Sequence, residues 1–397
     1  MSESENTVDL PRGVGRREFH IEPFEWYERG RERGPVVYDD SRESWDVFGY
    51  HEAREVLSNH ELYSNDVLHE ETSIFRDTML GMDPPEHTER RGLVEEYFTR
   101  EAVETYEDEI RSRVQGLLDD VEGEREFDVV ERLAYPLPVM TICDVLGVPD
   151  DEWRRFKSWS DSSVAGPLAT DDDVERLETE RSRAMFETAV YMSELVDERE
   201  SEPRDDMISS VVSKDHGLSK YELIRMLGLL MVAGNVTTTN YIGNAVWCLG
   251  ESDVDVDDVS DDEDMRLFLE EVLRYRSPVQ LAPRRAREDV TLAGEEIQED
   301  DTVVAWIGAA NRDPAVFDDP MEFEPRRSPN PHVAFGGSTH YCLGASLARL
   351  ETQVAVGSLF ERVESLDVPG GERQPVASGF LHGLEALDVT ASWRSRP

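Results

Sequence analysis

Lysine is nearly missing from this chain: Lys157, Lys214 and Lys220 are the only three among 41 basic residues, and arginine supplies the rest. Basic residues are themselves outnumbered by 87 acidic ones, giving a formal net charge of -46. Such a surface repels phosphates, which excludes a nucleic-acid footprint. Cysteine is almost as scarce. Cys143, Cys248 and Cys342 stand far apart, so the chain has neither a disulfide framework nor a zinc spacing, and an odd, sparse count fits a reducing cytoplasm. The longest apolar run, around Met226 to Gly234, is too short to span a bilayer. The amino terminus MSESENTVDLPRG has no apolar stretch like that of a signal peptide. Together these absences lead to the expectation of a cytoplasmic protein with no membrane span. Low-complexity stretches longer than a turn and internal repeats are also absent, so residues 1–397 read as one domain.

The acidity that remains resembles that of proteins from salt-loving organisms. Self-repulsion of this size destabilises a compact state in dilute buffer, whereas molar salt shortens the screening length to ~3 Å. Fold or cofactor is therefore expected to be lost on desalting.

Pro35 to Tyr50 places two β-rich runs around a polar turn, a predicted hairpin. Helices dominate afterwards, expected over His51–Ser58, Glu86–Arg100, Val103–Glu122 and Tyr135–Leu146. The acidic segments Asp171–Asp173 and Asp253–Asp264 read as turns or helix starts. Ser219-Lys220-Tyr221-Glu222 is a capping box opening an apolar stretch that continues to about Gly250. At 1.5 Å per residue that helix runs ~47 Å and must be buried on most sides. Phe268–Tyr275 is a further predicted helix, Val303–Trp306 suggests a short strand, and a last long helix follows Cys342 with Leu343, Leu347, Leu350 and Val354 on one stripe.

The segment Phe335-Gly336-Gly337-Ser338-Thr339-His340-Tyr341-Cys342-Leu343-Gly344 carries the chemistry. A Gly-rich loop delivers one cysteine to a helix start, where unpaired N–H groups and the helix dipole stabilise a thiolate able to bind iron. Taken alone, an isolated cysteine is more often a small buried hydrophobe. The loop, however, resembles the cysteine-ligand loop of cytochromes P-450, and further matches follow in the family's order over nearly the whole chain. The loop departs from the family in one place, having Ser338 where glycine is usual, which puts the turn under strain but leaves Phe335, Gly336, His340, Cys342 and Gly344 in place.

The resemblance implies a mainly α fold with a small β region, a single prism-shaped domain, and haem b (iron protoporphyrin IX) between the long helix and the helix after Cys342. Cys342 is then the axial iron ligand. His87 and Arg91, four residues apart on one helical face after Asp83-Pro84-Pro85, match a haem-propionate pair, and Arg284 and His340 match further propionate contacts. Alone, His87 and Arg91 read as an exposed ion-pairing face. Glu271-x-x-Arg274 with Arg327 matches a Glu-Arg-Arg triad that braces the loop, Arg326 being the alternative third member. Ala233-Gly234-Asn235-Val236-Thr237 matches the oxygen-binding stretch of the long helix. Thr237 supplies the hydroxyl, but Val236 stands where the family usually has an acid, and Asn235 points ~100° away from it.

By resemblance the activity is monooxygenation of a small hydrophobic substrate by a monomer, with electrons from a separate ferredoxin and reductase docking near Arg90, Arg100 and Arg349. Peroxide-driven oxygenation or rearrangement is the alternative that Val236 raises. A haem gas or redox sensor is the alternative of another class. Expected pocket walls are Tyr63–Met82, Ser158–Met192, Val279–Leu281 and Gly379–His382.

Overall fold

Ser219 starts the longest helix of the protein. Its hydroxyl accepts from the Glu222 amide, and the Glu222 carboxylate accepts from the Ser219 amide at 2.8 Å. In this computed structural model, which describes residues 16–67, 77–149, 152–164, 171–214, 216–376 and 378–395, that helix runs Lys220–Glu251 over 32 residues. Its apolar residues point to all sides because Pro136–Leu146, Asp171–Ser201 and Ala345–Arg362 pack around it. Asp171–Ser201 nearly equals it at 31 residues, although only its acidic beginning is conspicuous in the sequence.

Two expected helices are broken. Glu86–Arg100 is a helix only over Glu86–Gly92, followed by a 3-10 turn at Glu95–Phe98. Thr99 then caps a new helix, Arg100–Thr105, by accepting from the Ala102 amide. The stretch Val103–Glu122 is interrupted at Tyr106, after which Glu107–Asp119 continues. Phe268–Tyr275 extends back to Asp262 because Asp261 caps the helix there.

The predicted hairpin is present. Val36–Asp39 pairs antiparallel with Ser44–Val47, which pairs parallel with Thr302–Ala305. Ala282–Ala286 and Tyr63–Ser64 complete this five-stranded sheet. A three-stranded sheet of Glu126–Asp128, Asp388–Trp393 and Val363–Asp367 and a two-stranded ribbon form the remaining β structure. The fold is thus one mainly helical domain with small sheets, as the sequence implied. No described helix is long and apolar enough to cross a membrane.

One buried group gives the fold a pH dependence. Glu351, on helix Ala345–Arg362, is 2% exposed, and its one partner of note is Thr141. The Thr141 hydroxyl donates to the Leu137 carbonyl at 3.0 Å. Burial pushes its carboxyl from 4.5 up to about 8, against the Thr141 bond, which lowers it. Because the folded value lies above the unfolded one, this contribution is complete below pH 4.5 and is lost as pH rises through 8. Urea unfolding at fixed molar salt should show Glu351→Gln losing up to ~1.4 kcal/mol per pH unit of the wild-type decline across that window. Parallel pH slopes for the two proteins would contradict it.

Candidate active site

The cysteine loop is closed by its own backbone. The Cys342 amide donates to the Phe335 carbonyl at 2.9 Å, and Gly336 turns the chain in the left-handed region at φ 72°. A Cβ at Gly337 would meet Ser58 Oγ at 2.5 Å, so a larger residue there would have to turn the serine hydroxyl aside. Ser338 takes φ 53°, a left-handed conformation costing a residue with a Cβ roughly 1–2 kcal/mol. The strain expected at this departure is therefore present, and the loop keeps its shape despite it.

Cys342 faces open space although it lies deep among protein atoms. Burial raises its thiol, while the Gly344 amide and the charges of Arg91 and Arg349 oppose that shift and favour the thiolate. The helix Ala345–Arg362 begins three residues later. In the middle of the otherwise buried helix Lys220–Glu251, Ala233 is exposed and Gly234 and Thr237 are partly exposed, marking a second wall of open space. Thr237 Oγ1 donates to the Ala233 carbonyl at 2.9 Å, the back-bond that loosens a helix locally. Val236 is 5% exposed and Asn235 fully buried, with the Thr239 hydroxyl donating to Asn235 Oδ1 at 3.4 Å. Asn235 faces Thr239 and Tyr135 and does not replace the missing acid.

His87, Arg284 and His340 converge from a helix, a strand and the cysteine loop. The two imidazole rings lie 4.0 Å apart between centroids. His87 is 2% and Arg284 8% exposed, and burial pushes the Arg284 guanidinium down to about 10. Burial, reinforced by His87 and Arg284, pushes His340 down to about 3. The nearby carboxylate, Asp83, is taken by Ser64, Asn65 and Arg287. His87 Nδ1 and His340 Nε2 are buried with no protein partner among the described residues. Arg91, on the same short helix as His87, donates to the Tyr341 carbonyl at 2.9 Å. Four nitrogen-bearing side chains are thus gathered where an anion is wanted.

Below the loop, Glu271 and Arg274 are fully buried and joined by two bonds of 2.7 and 2.8 Å. Arg327 is the third member, at 3.1 Å from both Glu271 oxygens. Arg326 goes outward to Asp264 at 2.6 Å instead. Arg274 also donates to the Asn311, Pro320 and Glu322 carbonyls, stitching the helix to the irregular chain that leads into the loop.

A second network went unread in the sequence. Glu270 accepts from Arg349 at 2.6 and 3.0 Å and bonds His332 at 2.9 Å. Burial would raise its carboxyl, but these bonds outweigh burial and hold it at about 2. Arg349 lies over the Phe335 ring at 4.5 Å and donates to the Tyr341 hydroxyl at 3.2 Å. The adjacent glutamates Glu270-Glu271 were the available signal. Arg349 is therefore not a free surface cation. Arg90 is likewise paired with Glu222 and Arg100 with Glu104, so none of the three arginines expected to receive a partner offers uncompensated charge.

Of the expected pocket walls, Val279–Leu281 and Gly379–His382 meet each other: Val279 bridges Leu381, and the Gln280 amide donates to the Phe380 carbonyl at 2.9 Å. Parts of Tyr63–Met82 and Ser158–Met192 lie outside the described residues.

Residues 247–384 match the sequence family described as Cytochrome P450. A Bacillus subtilis protein named as a cytochrome P450, YjiB, is 38% identical over 376 residues, covering 92% of this chain and 93% of its own. Among solved structures, CYP109E1 from Bacillus megaterium in complex with testosterone superposes with a TM-score of 0.89 at 39% identity, covering 94% of this chain and 99% of that one. P450BioI, solved with an acyl carrier protein bearing hexadec-9Z-enoic acid, gives 0.86 at 32% identity, with 94% and 99% covered. Fold and relatives define a haem-thiolate monooxygenase. The chain belongs to the cytochrome P450 family, whose members bind haem b through a cysteine thiolate and use redox partners to act on small-molecule substrates.

The residues present fit that group. Haem b carries two carboxylates, and the orphaned His87 and His340 nitrogens with Arg284 and Arg91 are the donors such a dianion needs.

Proposed function

We propose that Cys342 is the thiolate that would hold the haem iron, and that the chain inserts one oxygen atom from O2 into a small apolar substrate using electrons from a ferredoxin-type donor. The observation that carries this reading is the meeting of His87, Arg284 and His340 beside a cysteine loop, with His87 Nδ1 and His340 Nε2 buried and unpartnered among the described residues. Bound haem would supply the redox chemistry that activates dioxygen. His87, Arg91, Arg284 and His340 hold its carboxylates. Phe335, Gly336 and Gly344 shape the loop and direct an amide at the Cys342 sulfur. Glu271, Arg274 and Arg327 brace the loop from below and do no chemistry. Ala233 and Gly234 leave room for substrate and oxygen against the helix, and the Thr237 hydroxyl orders a proton donor there. Relatives solved with testosterone and with a fatty acyl chain support an apolar substrate of lipid-like size. The acidic surface supports a working medium of high salt. The test is a carbon monoxide difference spectrum of the reduced protein in molar salt, which should show the red-shifted band of a thiolate-ligated complex.

A specific observation favours a second reading. Val236 is buried and apolar where an acid would pair with Thr237, which suits oxygenation driven by hydrogen peroxide. Turnover with ferredoxin and NAD(P)H against turnover with peroxide separates the two. If proton delivery limits the first route, Val236→Glu should raise the product formed per NAD(P)H on the order of ten-fold and leave peroxide-driven turnover unchanged. An unaltered ratio of product to NAD(P)H would show that protons arrive by another path.

A further inference from the structure

The central helix carries a polar stripe that its apolar surroundings do not explain. At ~100° per residue, Thr237, Asn240, Asn244 and Glu251 fall within about 60° of one another on the helix surface. Asn240 and Asn244 are 3% and 1% exposed, and Glu251 ends the stripe in solvent, its side chain 44% exposed. The segment from His382 to Gly383 lies directly on this stripe. A Cβ on Gly383 would meet Asn240 Oδ1 at 2.3 Å, and Asn244 Nδ2 donates to the carbonyls of His382 and Arg276 at 3.0 and 2.9 Å.

Along this line buried polar atoms accumulate without protein partners among the described residues: Asn240 Nδ2, Asn244 Oδ1, His382 Nδ1, and Arg276 Nε and Nη1. Buried polar atoms are rarely left unpaired, and a run of them on neighbouring residues is what internal waters satisfy. The outer end is wet and charged. Trp247 Nε1 donates to Glu251 at 2.5 Å, Arg276 donates to Glu251 at 2.6 Å and to Glu22 at 2.9 Å, and Glu22 has 48% of its side chain exposed. His382 stacks on Trp247, with Arg276 over the same indole at 3.6 Å and the Ile21 carbonyl at 3.2 Å from His382 Nε2. The other charged or titratable groups facing this corner are Arg312 and His20.

We infer that Asn240, Asn244 and His382 hold a file of waters that carries protons from the Glu251 and Glu22 surface along one face of the central helix to Thr237, in place of the acid that Val236 displaces. The inference rests on the monooxygenase reading. Each turnover there consumes one substrate, one O2, two electrons from the ferredoxin-type donor and two protons, and yields hydroxylated substrate and one water; the file supplies the protons. Asn240 and Asn244 are positioning residues, touching water rather than substrate.

Asn240→Leu keeps the branched shape and heavy-atom count of the side chain, at somewhat larger volume, and removes the polar atoms. With ferredoxin and NAD(P)H, this variant should lose product per electron pair on the order of ten-fold, leak the difference as superoxide and hydrogen peroxide, and show a larger solvent isotope effect. Its peroxide-driven turnover should match wild type, and adding Val236→Glu should restore coupling by a separate route. Wild-type coupling and isotope effect in Asn240→Leu would overturn the proposal. A high-resolution crystal structure of the wild type decides it without turnover: waters bonded to Asn240 Nδ2, Asn244 Oδ1 and His382 Nδ1 are expected, and a dry contact there would overturn it even if Asn240→Leu did not fold. A wild type that forms no product with any donor would instead count against the monooxygenase reading, leaving the water file to the crystallographic result.

Discussion

Cys342→Ser is expected to give a folded protein whose reduced carbon monoxide complex lacks the thiolate band and whose product formation, with ferredoxin or with peroxide, falls to background. Serine is nearly the size of cysteine, and its hydroxyl can still accept from the Gly344 amide that now faces the sulfur. The loop is closed by backbone bonds, from the Cys342 amide to Phe335 and from the Tyr341 amide to Ser338, none of which uses the thiol. Porphyrin is also expected to stay bound to some extent, because His87, Arg91, Arg284 and His340 would hold its carboxylates independently of sulfur. What is lost is the electron density that a thiolate pushes onto iron and that favours cleavage of the O–O bond. The other cysteines serve as controls. Cys143 and Cys248 are fully buried in the apolar core, and burial pushes the Cys248 thiol up to about 12. Cys143→Ala and Cys248→Ala should therefore leave the spectrum in place. A Cys342→Ser protein with an unaltered thiolate spectrum would remove sulfur at this position from the mechanism, and with it the proposed function.

The parts of the molecule legible in the sequence are those whose cause is local. A capping box and the apolar run behind it define the start of helix Lys220–Glu251 within four residues. The cysteine loop is equally local, because the left-handed turns at Gly336 and Ser338 are closely spaced demands on one backbone. Glu271 and Arg274 share a helical face, so their ion pair follows from spacing alone. The choice between Arg326 and Arg327 does not, because Asp264, which draws Arg326 outward, stands 62 residues away in the chain. Glu270, His332 and Arg349 stayed hidden for the same reason, being 62 and 79 residues apart. The breaks near Gly92 and Tyr106 were missed because helix propensity continues across both, and the interruption at Tyr106 brings its hydroxyl to the Tyr97 carbonyl at 3.3 Å. Arg90, Arg100 and Arg349 looked like scarce surface charge in the sequence. In a chain with more than two acids for every base, a surface arginine meets a carboxylate almost wherever it lands, and each of these three has.

That same excess sets the second large effect, the dependence of the fold on salt. With 41 basic residues the chain cannot give each of its 87 acidic residues a cation of its own, and several acids stand one turn apart on the same helix surface, among them Glu28 with Glu32 and Glu52 with Glu55. Each such like-charge pair costs roughly 0.2–0.5 kcal/mol at low salt. The long-range field of a net charge of -46 adds to this. The screening length falls from ~30 Å at 0.01 M to ~3 Å at 1 M, shorter than the spacing between neighbouring turns, so both contributions nearly vanish. The exposed ion pairs weaken as well, but they are worth only about 0–1 kcal/mol each and cannot offset the relief. The melting temperature and the retention of haem should therefore both rise steeply between these two salt concentrations, with sodium and potassium chloride equivalent because screening does not distinguish them. A variant carrying Glu101→Gln, Asp108→Asn, Glu200→Gln and Asp262→Asn, all at exposed positions, should melt higher than wild type at 0.01 M and close to it at 1 M. Melting curves that coincide at the two salt concentrations would mean that the acidic surface is solvated without strain, and that the buried networks under the cysteine loop hold this fold by themselves.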